Sequence, residues 1–279
     1  MVIIVESGAT KSDWRLIAPD GSQLDRRLLP GINLSTASMS HNLETISEGM
    51  RELGSEPLDG VYFYTAGIVT PELRTHIESS IHAWSTVKEI EVCTDLVAAA
   101  RAVCGRSSGI VAILGTGSNT CFYDGKEISQ KVRSGGYVIG DEGGGAVLGK
   151  LFLADFLKGL VPDDIAAEFA SIYDASYEGI VAGVYRSASP AGFLGGFAPF
   201  ILKHYDNPYI KSLVDNNFRS FIERSLKHYD TARYPLGVVG GFGWACKDIF
   251  SRLCEESGVQ TGVFLPEPIT GLIKYHTGE

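Results

Sequence analysis

The residues of this chain best suited by type and spacing to do chemistry are one aspartate, Asp95, and a set of glycine-rich segments. The first segment, Glu6-Ser7-Gly8-Ala9-Thr10-Lys11, follows the apolar run Val2 to Val5 and is built of small residues. Small residues let backbone N–H groups approach an anion closely, and Thr10 and Lys11 add a hydroxyl and a positive charge, so the loop fits a phosphate, or else is a plain turn. Its spacing is not that of a Walker-A motif, which argues against ordinary P-loop chemistry. The second, Gly115-Thr116-Gly117-Ser118-Asn119, follows another apolar run, IVAIL, and two such loops in equivalent places would make a phosphate clamp. The third, Gly240-Gly241-Phe242-Gly243, offers bare backbone against which a flat base could lie, or else a tight strand-to-helix turn.

Two further positions carry carboxylates. Gly135-Gly136-Tyr137-Val138-Ile139-Gly140-Asp141-Glu142-Gly143-Gly144-Gly145 holds six glycines and two adjacent acids before a helical pattern. Asp141 and Glu142 could cap that helix and oppose its dipole, or the segment could wrap a polar substrate such as a sugar, which needs many directional hydrogen bonds. Asp95 stands between the strand pattern Val87 to Cys93 and the helix starting at Leu96. There it is either an N-cap or a carboxylate facing the crevice at the C-terminal ends of the strands, where it could accept a hydroxyl proton.

The elements that must position these groups are legible from periodicity. Val2 to Val5, Asp13 to Ala18 and Gln23 to Leu29 read as strands, the last two joined by the turn Pro19-Asp20-Gly21. Ser40 to Leu53 has helical spacing through Leu43, Ile46, Met50 and Leu53. A strand at Gly60 to Thr65, a helix at Glu72 to Trp84, a strand at Val87 to Cys93 and an Ala-rich helix at Leu96 to Val103 follow. After the linker Gly105 to Gly109 the pattern restarts: strand Ile110 to Leu114, glycine loop, strand Asn119 to Tyr123, turn Asp124-Gly125, strand Lys126 to Val132. Helices are expected at Gly143 to Leu157, Asp163 to Tyr173, Pro208 to Tyr229 and near Ile269 to Tyr275, with a final strand at Gly237 to Val239. The restart predicts two similar α/β lobes, 1–107 and 108–267, each giving a loop to a shared cleft. Gly turns in β-hairpins are common enough to leave chance similarity as the alternative.

Composition narrows the function classes. A chain of 279 residues, 44% hydrophobic, can build two cores, and a net charge of −9 opposes nucleic-acid or anionic-membrane binding. The opening MVIIVESGATKSDW is neither a signal peptide nor a membrane span, so a cytoplasmic address is expected. Five cysteines, Cys93, Cys104, Cys121, Cys246 and Cys254, without a CxxC pair read as reduced small hydrophobes rather than a disulfide frame, a zinc site or a cluster.

Taken in order, ESGATKSDW, TDLVAAARA, ILGTGSNT, GGYVIGDEGGG and VVGGFGW resemble the BadF-type ATPase and N-acetylglucosamine kinase family of the actin/hexokinase/chaperone ATPase superfamily. The resemblance implies two ribonuclease-H-like lobes with a central nucleotide and sugar cleft, and a final helix at 268–279 packing back on the first lobe. It implies ATP and Mg²⁺, with Gly8, Ala9, Thr10 and Lys11 as first phosphate loop and Gly115, Thr116, Gly117 and Ser118 as second. Gly240, Gly241 and Gly243 would form the adenosine site, and Asp95 would be the catalytic carboxylate. Asn33, Asn119, Gly136, Asp141 and Glu142 would contact the sugar, and Glu6 with Asp141 would position the metal. Glu6 stands where the family's first loop normally begins with Asp, and the extra methylene carries the carboxylate roughly 1.5 Å further. The implied activity is phosphoryl transfer from ATP to a hydroxyl, at C6, of an amino sugar such as N-acetylglucosamine, by a homodimer. A dehydratase-activating ATPase and a non-catalytic actin-like or sugar-sensing protein are the alternatives.

Overall fold

The computed structural model describes residues 1–8, 11–32, 38–54, 57–67 and 70–278. Ala9, Thr10 and Asn33 therefore lie outside the described residues. The chain divides into two compact units. Unit 1 is Met1–Ser107 with Gly125–Glu127 and Glu267–Glu279, and unit 2 is Ser108–Asp124 with Ile128–Pro266.

Unit 1 opens with β1 (Val2–Ser7), β2 (Lys11–Ile17) and β3 (Gln23–Pro30), then α1 (Met39–Leu53), β4 (Leu58–Thr65), α2 (Pro71–His82), β5 (Val87–Thr94) and α3 (Asp95–Cys104). Its sheet has the order β3-β2-β1-β4-β5, antiparallel on the β2 and β3 side and parallel across β1, β4 and β5. Strand β1 is apolar from Val2 to Val5 because it is central and covered on both faces. Ile3 and Val5 pack with Trp14, Ile46 and Ile77 on one side, and Ile4 packs with Ala98 on the other. The edge strand β3 instead carries Asp25, Arg26 and Arg27, and from Leu24 on its residues alternate exposed and half-buried, as suits an edge strand. Helix ends follow local chemistry: Ser38 and Thr70 accept hydrogen bonds from His41 and Leu73, and Pro71 starts α2 where a missing N–H costs nothing.

Unit 2 repeats the plan with β6 (Gly109–Leu114), β7 (Ser118–Tyr123) and β8 (Ile128–Val132). A helical section follows: α4 (Gly136–Ile139), α5 (Gly145–Phe156), α6 (Asp163–Ile172), α7 (Tyr177–Tyr185), α8 (Pro190–Gly195), α9 (Ala198–Lys203) and α10 (Pro208–Arg224). Then come β9 (Leu236–Val239), α11 (Gly241–Ala245), α12 (Lys247–Glu256) and β10 (Thr261–Leu265). The sheet order is β10-β9-β6-β7-β8, which matches unit 1 strand for strand. The restart seen in the sequence is thus a repeated topology, and its core is aromatic, with Phe152, Phe169, Phe218, Phe221 and Phe250 fully buried.

The last helix, α13 (Ile269–Thr277), belongs to unit 1 and packs on α3 and β1. Contact is close enough that a Cβ on Gly271 would strike the Ala102 carbonyl. Ile269 and Leu272 join Ile4 and Ala98 in one core, and His276 stacks on Tyr62 at 3.7 Å and shares a hydrogen bond with the Tyr64 hydroxyl at 2.7 Å.

Three expectations need correction. The strands do not end at Val239: β10 follows, parallel to β9, and its exposed Gly262 and Val263 hide the strand signal. The helix from Pro208 stops at Arg224, and Leu226–His228 form a single 3-10 turn. The glycine-rich segment before α5 is not all loop, since Gly136–Ile139 form the short helix α4. No helix among the described residues is long and apolar enough to cross a membrane.

Candidate functional site

In unit 1 the parallel register aligns three strand ends, because Ser7 pairs with Thr65 and Thr65 with Thr94. The residues around those ends therefore share one edge of the sheet, the place where open α/β sheets bind ligands. Glu6 is in the last pair of β1 residues, and Asp95 follows β5 directly. Asp95 is not the helix cap. Thr94 fills that role, with its side chain accepting from the Val97 N–H, and Asp95 is the first residue of α3. At the same edge the Ser7 hydroxyl accepts from Ile32 N–H at 2.7 Å and the Thr65 hydroxyl donates to Ile32 C=O at 2.8 Å. These bonds pin the segment that leads to Asn33.

Charge at this edge is unbalanced. Burial pushes Glu6 from its usual 4.5 up to about 7, and the carboxylates of Glu267, Asp95 and Asp13 add to it while Lys11 opposes. Asp13, opposite Glu6 in the β1–β2 ladder, is paired with two arginines. Burial alone would raise it, but hydrogen bonds from Arg15 at 2.6 and 2.8 Å and from Arg26 at 2.8 and 3.2 Å hold it below its usual value. Lys11 lies 3.5 Å from Glu267, and Gly8 N–H donates to Lys11 C=O at 3.0 Å, closing the first loop.

In unit 2 the second loop joins β6 to β7, and its carbonyls are tied to the start of α5. Gly115 C=O accepts from Gly145 N–H at 2.9 Å and Thr116 C=O from Ala146 N–H at 2.8 Å. A Cβ on Gly117 would press into the Asp141 carboxylate, which would have to shift. Asp141, at φ 55°, takes hydrogen bonds from the Ser134 side chain and from the backbone at Gly136 and Ser118, yet burial still raises its pKa. The third loop comes to the second: Gly240, at φ 126°, would drive a Cβ into the Leu114 carbonyl at the end of β6. The structure thus gathers Gly115, Thr116, Gly117, Ser118, Gly240, Gly241, Gly243, Gly136 and Asp141 around the C-terminal ends of β6 and β9.

Two cavities adjoin these loops. A polar one of about 130 Å³ is lined by Asn119, Ser134, Gly140, Glu142 and Arg224 among others, and Glu142 is held there by Arg224 at 2.8 Å. A larger, mainly apolar one of about 440 Å³ runs from Gly115 and Thr116 to Gly241 and Phe242, with α9 residues Pro199 and Leu202 as a wall. The second suits a flat apolar group joined to an anion at the glycine loop.

Sequence reasoning misses several site residues. Ala198, Pro199, Leu202 and Ala245 look like ordinary helix residues, and nothing local marks them as cavity walls. Glu267 reaches the Glu6 edge only because α13 returns to unit 1. Asn217, 2% exposed on α10, accepts from Gly143 N–H at 3.0 Å and donates to Gly144 C=O at 3.2 Å, so it holds the glycine run before α5. A polar residue amid the apolar spacing of α10 is the signal that could have found it. Asn217→Leu should cost about 1–3 kcal/mol in chemical unfolding, because it strands two buried backbone groups. An unchanged midpoint would show that the loop does not depend on it.

Among the described residues no group of three or more His, Cys, Asp or Glu side chains could hold a metal ion unaided. The cluster of carboxylates around the buried Glu6 nevertheless fits Mg²⁺, a cation usually held by one or two carboxylates together with water and substrate phosphates. The cluster chemistry of a dehydratase activator finds no support in Cys121, which is fully buried within β7.

No family model matches the chain. A solved structure from Porphyromonas gingivalis, described as a candidate N-acetylglucosamine kinase, is 37% identical over 100% of this chain and 99% of its own, with a TM-score of 0.89. A second, from Chromobacterium violaceum and described in the same terms, is 17% identical over 98% of both chains at a TM-score of 0.78, which speaks to the fold alone. The curated N-acetylmuramic acid/N-acetylglucosamine kinase of Clostridium acetobutylicum is 30% identical over 207 residues, 67% of this chain, and the match spans 64% of that relative's length. The two sheets and their helices form the two-lobed actin-like ATPase fold of sugar kinases. With its five ordered motifs and a match along its full length, the chain belongs to the N-acetylglucosamine kinase family of the actin/hexokinase/chaperone ATPase superfamily.

Proposed function

We propose that the protein is an ATP-dependent amino-sugar kinase, moving the γ-phosphoryl group to a hydroxyl, at C6, of N-acetylglucosamine or a close relative. The observation that carries this reading is Asp95, half-buried at the strand-end edge beside Glu6 and relieved of capping by Thr94. Family membership and the activities named for the relatives support it from outside the site.

In the proposed reaction Asp95 accepts the proton of the sugar hydroxyl as its oxygen bonds to the γ-phosphorus and the bond to the ADP oxygen breaks. Gly8 to Lys11 and Gly115 to Ser118 hold the β- and γ-phosphates, and Gly240 to Gly243 with the apolar cavity hold the adenosine. Asn33, Asn119, Gly136, Asp141 and Glu142 contact the sugar. Glu6 positions Mg²⁺, which neutralises phosphate charge when bound. Asp141 could share the metal, but three hydrogen bonds to its carboxylate fit the sugar-loop role better. The protein's part is to orient the reactants and exclude water. The reading extends to a cytoplasmic homodimer.

A panel of sugars containing both N-acetylglucosamine and N-acetylmuramic acid tests this. ADP release should be slow with ATP alone and rise at least about tenfold with the right sugar, since the acceptor completes the site. Equal release with and without every sugar would sink the kinase reading in favour of an uncoupled ATPase.

A further inference from the structure

We propose that the donor site accepts purine nucleoside triphosphates with little regard to the base, so that GTP and ITP serve beside ATP. The inference rests on the kinase reading for where the nucleotide lies, and on the lining of the 440 Å³ cavity for the breadth of base accepted.

Adenine, guanine and hypoxanthine share a ring shape and differ at their edges, by an amino or oxo group at one position and an amino group at another. Telling them apart requires a donor or acceptor fixed against those edges. Among the described residues, every one that lines the cavity is Gly, Ala, Pro, Leu, Phe or Thr. Thr116 alone has a polar side chain, and it belongs to the phosphate loop, where its methyl group is the atom nearest to the space beside Gly195. Carbonyls of the third loop that could accept from a base edge are already engaged. Gly240 C=O accepts from Trp244 N–H at 2.9 Å and Phe242 C=O from Cys246 N–H at 3.0 Å.

What the cavity offers a base is surface. Phe242 is held by stacking on Phe218, with ring centroids 5.5 Å apart and planes 23° from parallel, and Pro199 and Leu202 provide apolar wall. Aromatic and apolar contact favours any purine, because each presents the same π-face. Specificity arithmetic sets the scale. Sites that hydrogen-bond a distinguishing group reject analogues lacking it by about 10⁴–10⁵, whereas apolar pockets separate near-isosteres by only about 10–200-fold.

The test is calorimetric titration of the whole protein with ADP, GDP and IDP in Mg²⁺, alongside initial rates of transfer from ATP, GTP and ITP to the accepted sugar. The three Kd values should agree within about tenfold and the three kcat/KM values within about a hundredfold. GDP or IDP binding weaker than ADP by about 10³ or more would overturn the inference. Equal binding of all three without transfer to any sugar would sustain it while removing the kinase reading. Ala245→Trp, at an exposed wall position on α11, locates the base. It should raise all three Kd values by at least about tenfold with Tm unchanged, and unaltered affinities would overturn the proposal by putting the base elsewhere. Leu202→Trp gives the same reading from the facing helix should the first variant not fold.

Discussion

Asp95→Asn is expected to lower kcat by about 10² to 10⁴ while nucleotide affinity and Tm stay near wild type. The amide keeps the shape and most of the hydrogen bonding of the carboxylate but cannot take the hydroxyl proton, so the loss falls on the chemical step. The fold supplies an unusually clean control. Thr94, the adjacent residue, carries the capping bond to Val97, and Thr94→Ala should cost about 1 kcal/mol of stability with kcat preserved. Asp95→Asn loses at most about 0.3–1 kcal/mol through the helix dipole. The two variants should therefore separate: one turns over slowly and melts normally, the other melts early and turns over normally. Asp95→Asn with wild-type kcat would return the residue to a purely structural role and remove the base from the proposed mechanism.

The second large effect concerns Glu6 and its pH dependence. Its carboxyl titrates near 4.5 when exposed in the unfolded chain and near 7 in the folded protein. Between those values the folded state holds more protons than the unfolded one, so this group's contribution to stability falls as pH rises from about 4.5 to 7. Above 7 the full cost, of order 3 kcal/mol, is present. Glu6→Gln removes it and should stabilise the ligand-free protein at pH 8 by up to that amount while changing little at pH 4.5. Mg²⁺ with a nucleotide should narrow the gap, because a cation compensates the ionised carboxylate that Gln cannot supply. The measurement is urea unfolding of both proteins across pH 4.5 to 8.5, and parallel curves would show that Glu6 does not carry the buried charge. Glu6 lies at a charged edge with Asp95 and Glu267, whose carboxylates add to the effect of burial.

Much of the fold and part of the candidate site are legible in the amino-acid sequence, for identifiable reasons. The run Val2 to Val5, followed by a glycine loop and a Pro-Asp-Gly turn, specifies a central strand and its hairpin through short-range sterics. Its recurrence at Ile110 specifies the second sheet in the same way. The hidden features depend on long-range return. The α8 and α9 segment is mostly Gly, Ala, Pro, Phe and Leu, and its significance is the cavity it walls, which depends on where α5 and α11 lie. Strand β10 has the apolar alternation of neither a core strand nor a clean amphipathic one, because it sits at the sheet edge. For Asp95 local sequence leaves cap and base both open, and only the neighbouring Thr94 side chain decides which role is already filled.

The return of α13 to unit 1 also bears on how the chain is made. Tyr64 and His276 are 212 positions apart, and the interior side of β1 and β4, with Ile4 and Tyr64, is completed by Ile269 and Leu272. Every residue of unit 2 is synthesised before that cover exists. At translation rates of about 5–20 residues per second, the first sheet waits roughly 10–35 seconds with one apolar face covered only in part, by α3, while unit 2 can fold as it emerges. Unit 1, although begun first, is the unit finished last, and the nascent chain passes through an interval in which it needs protection from association through that face.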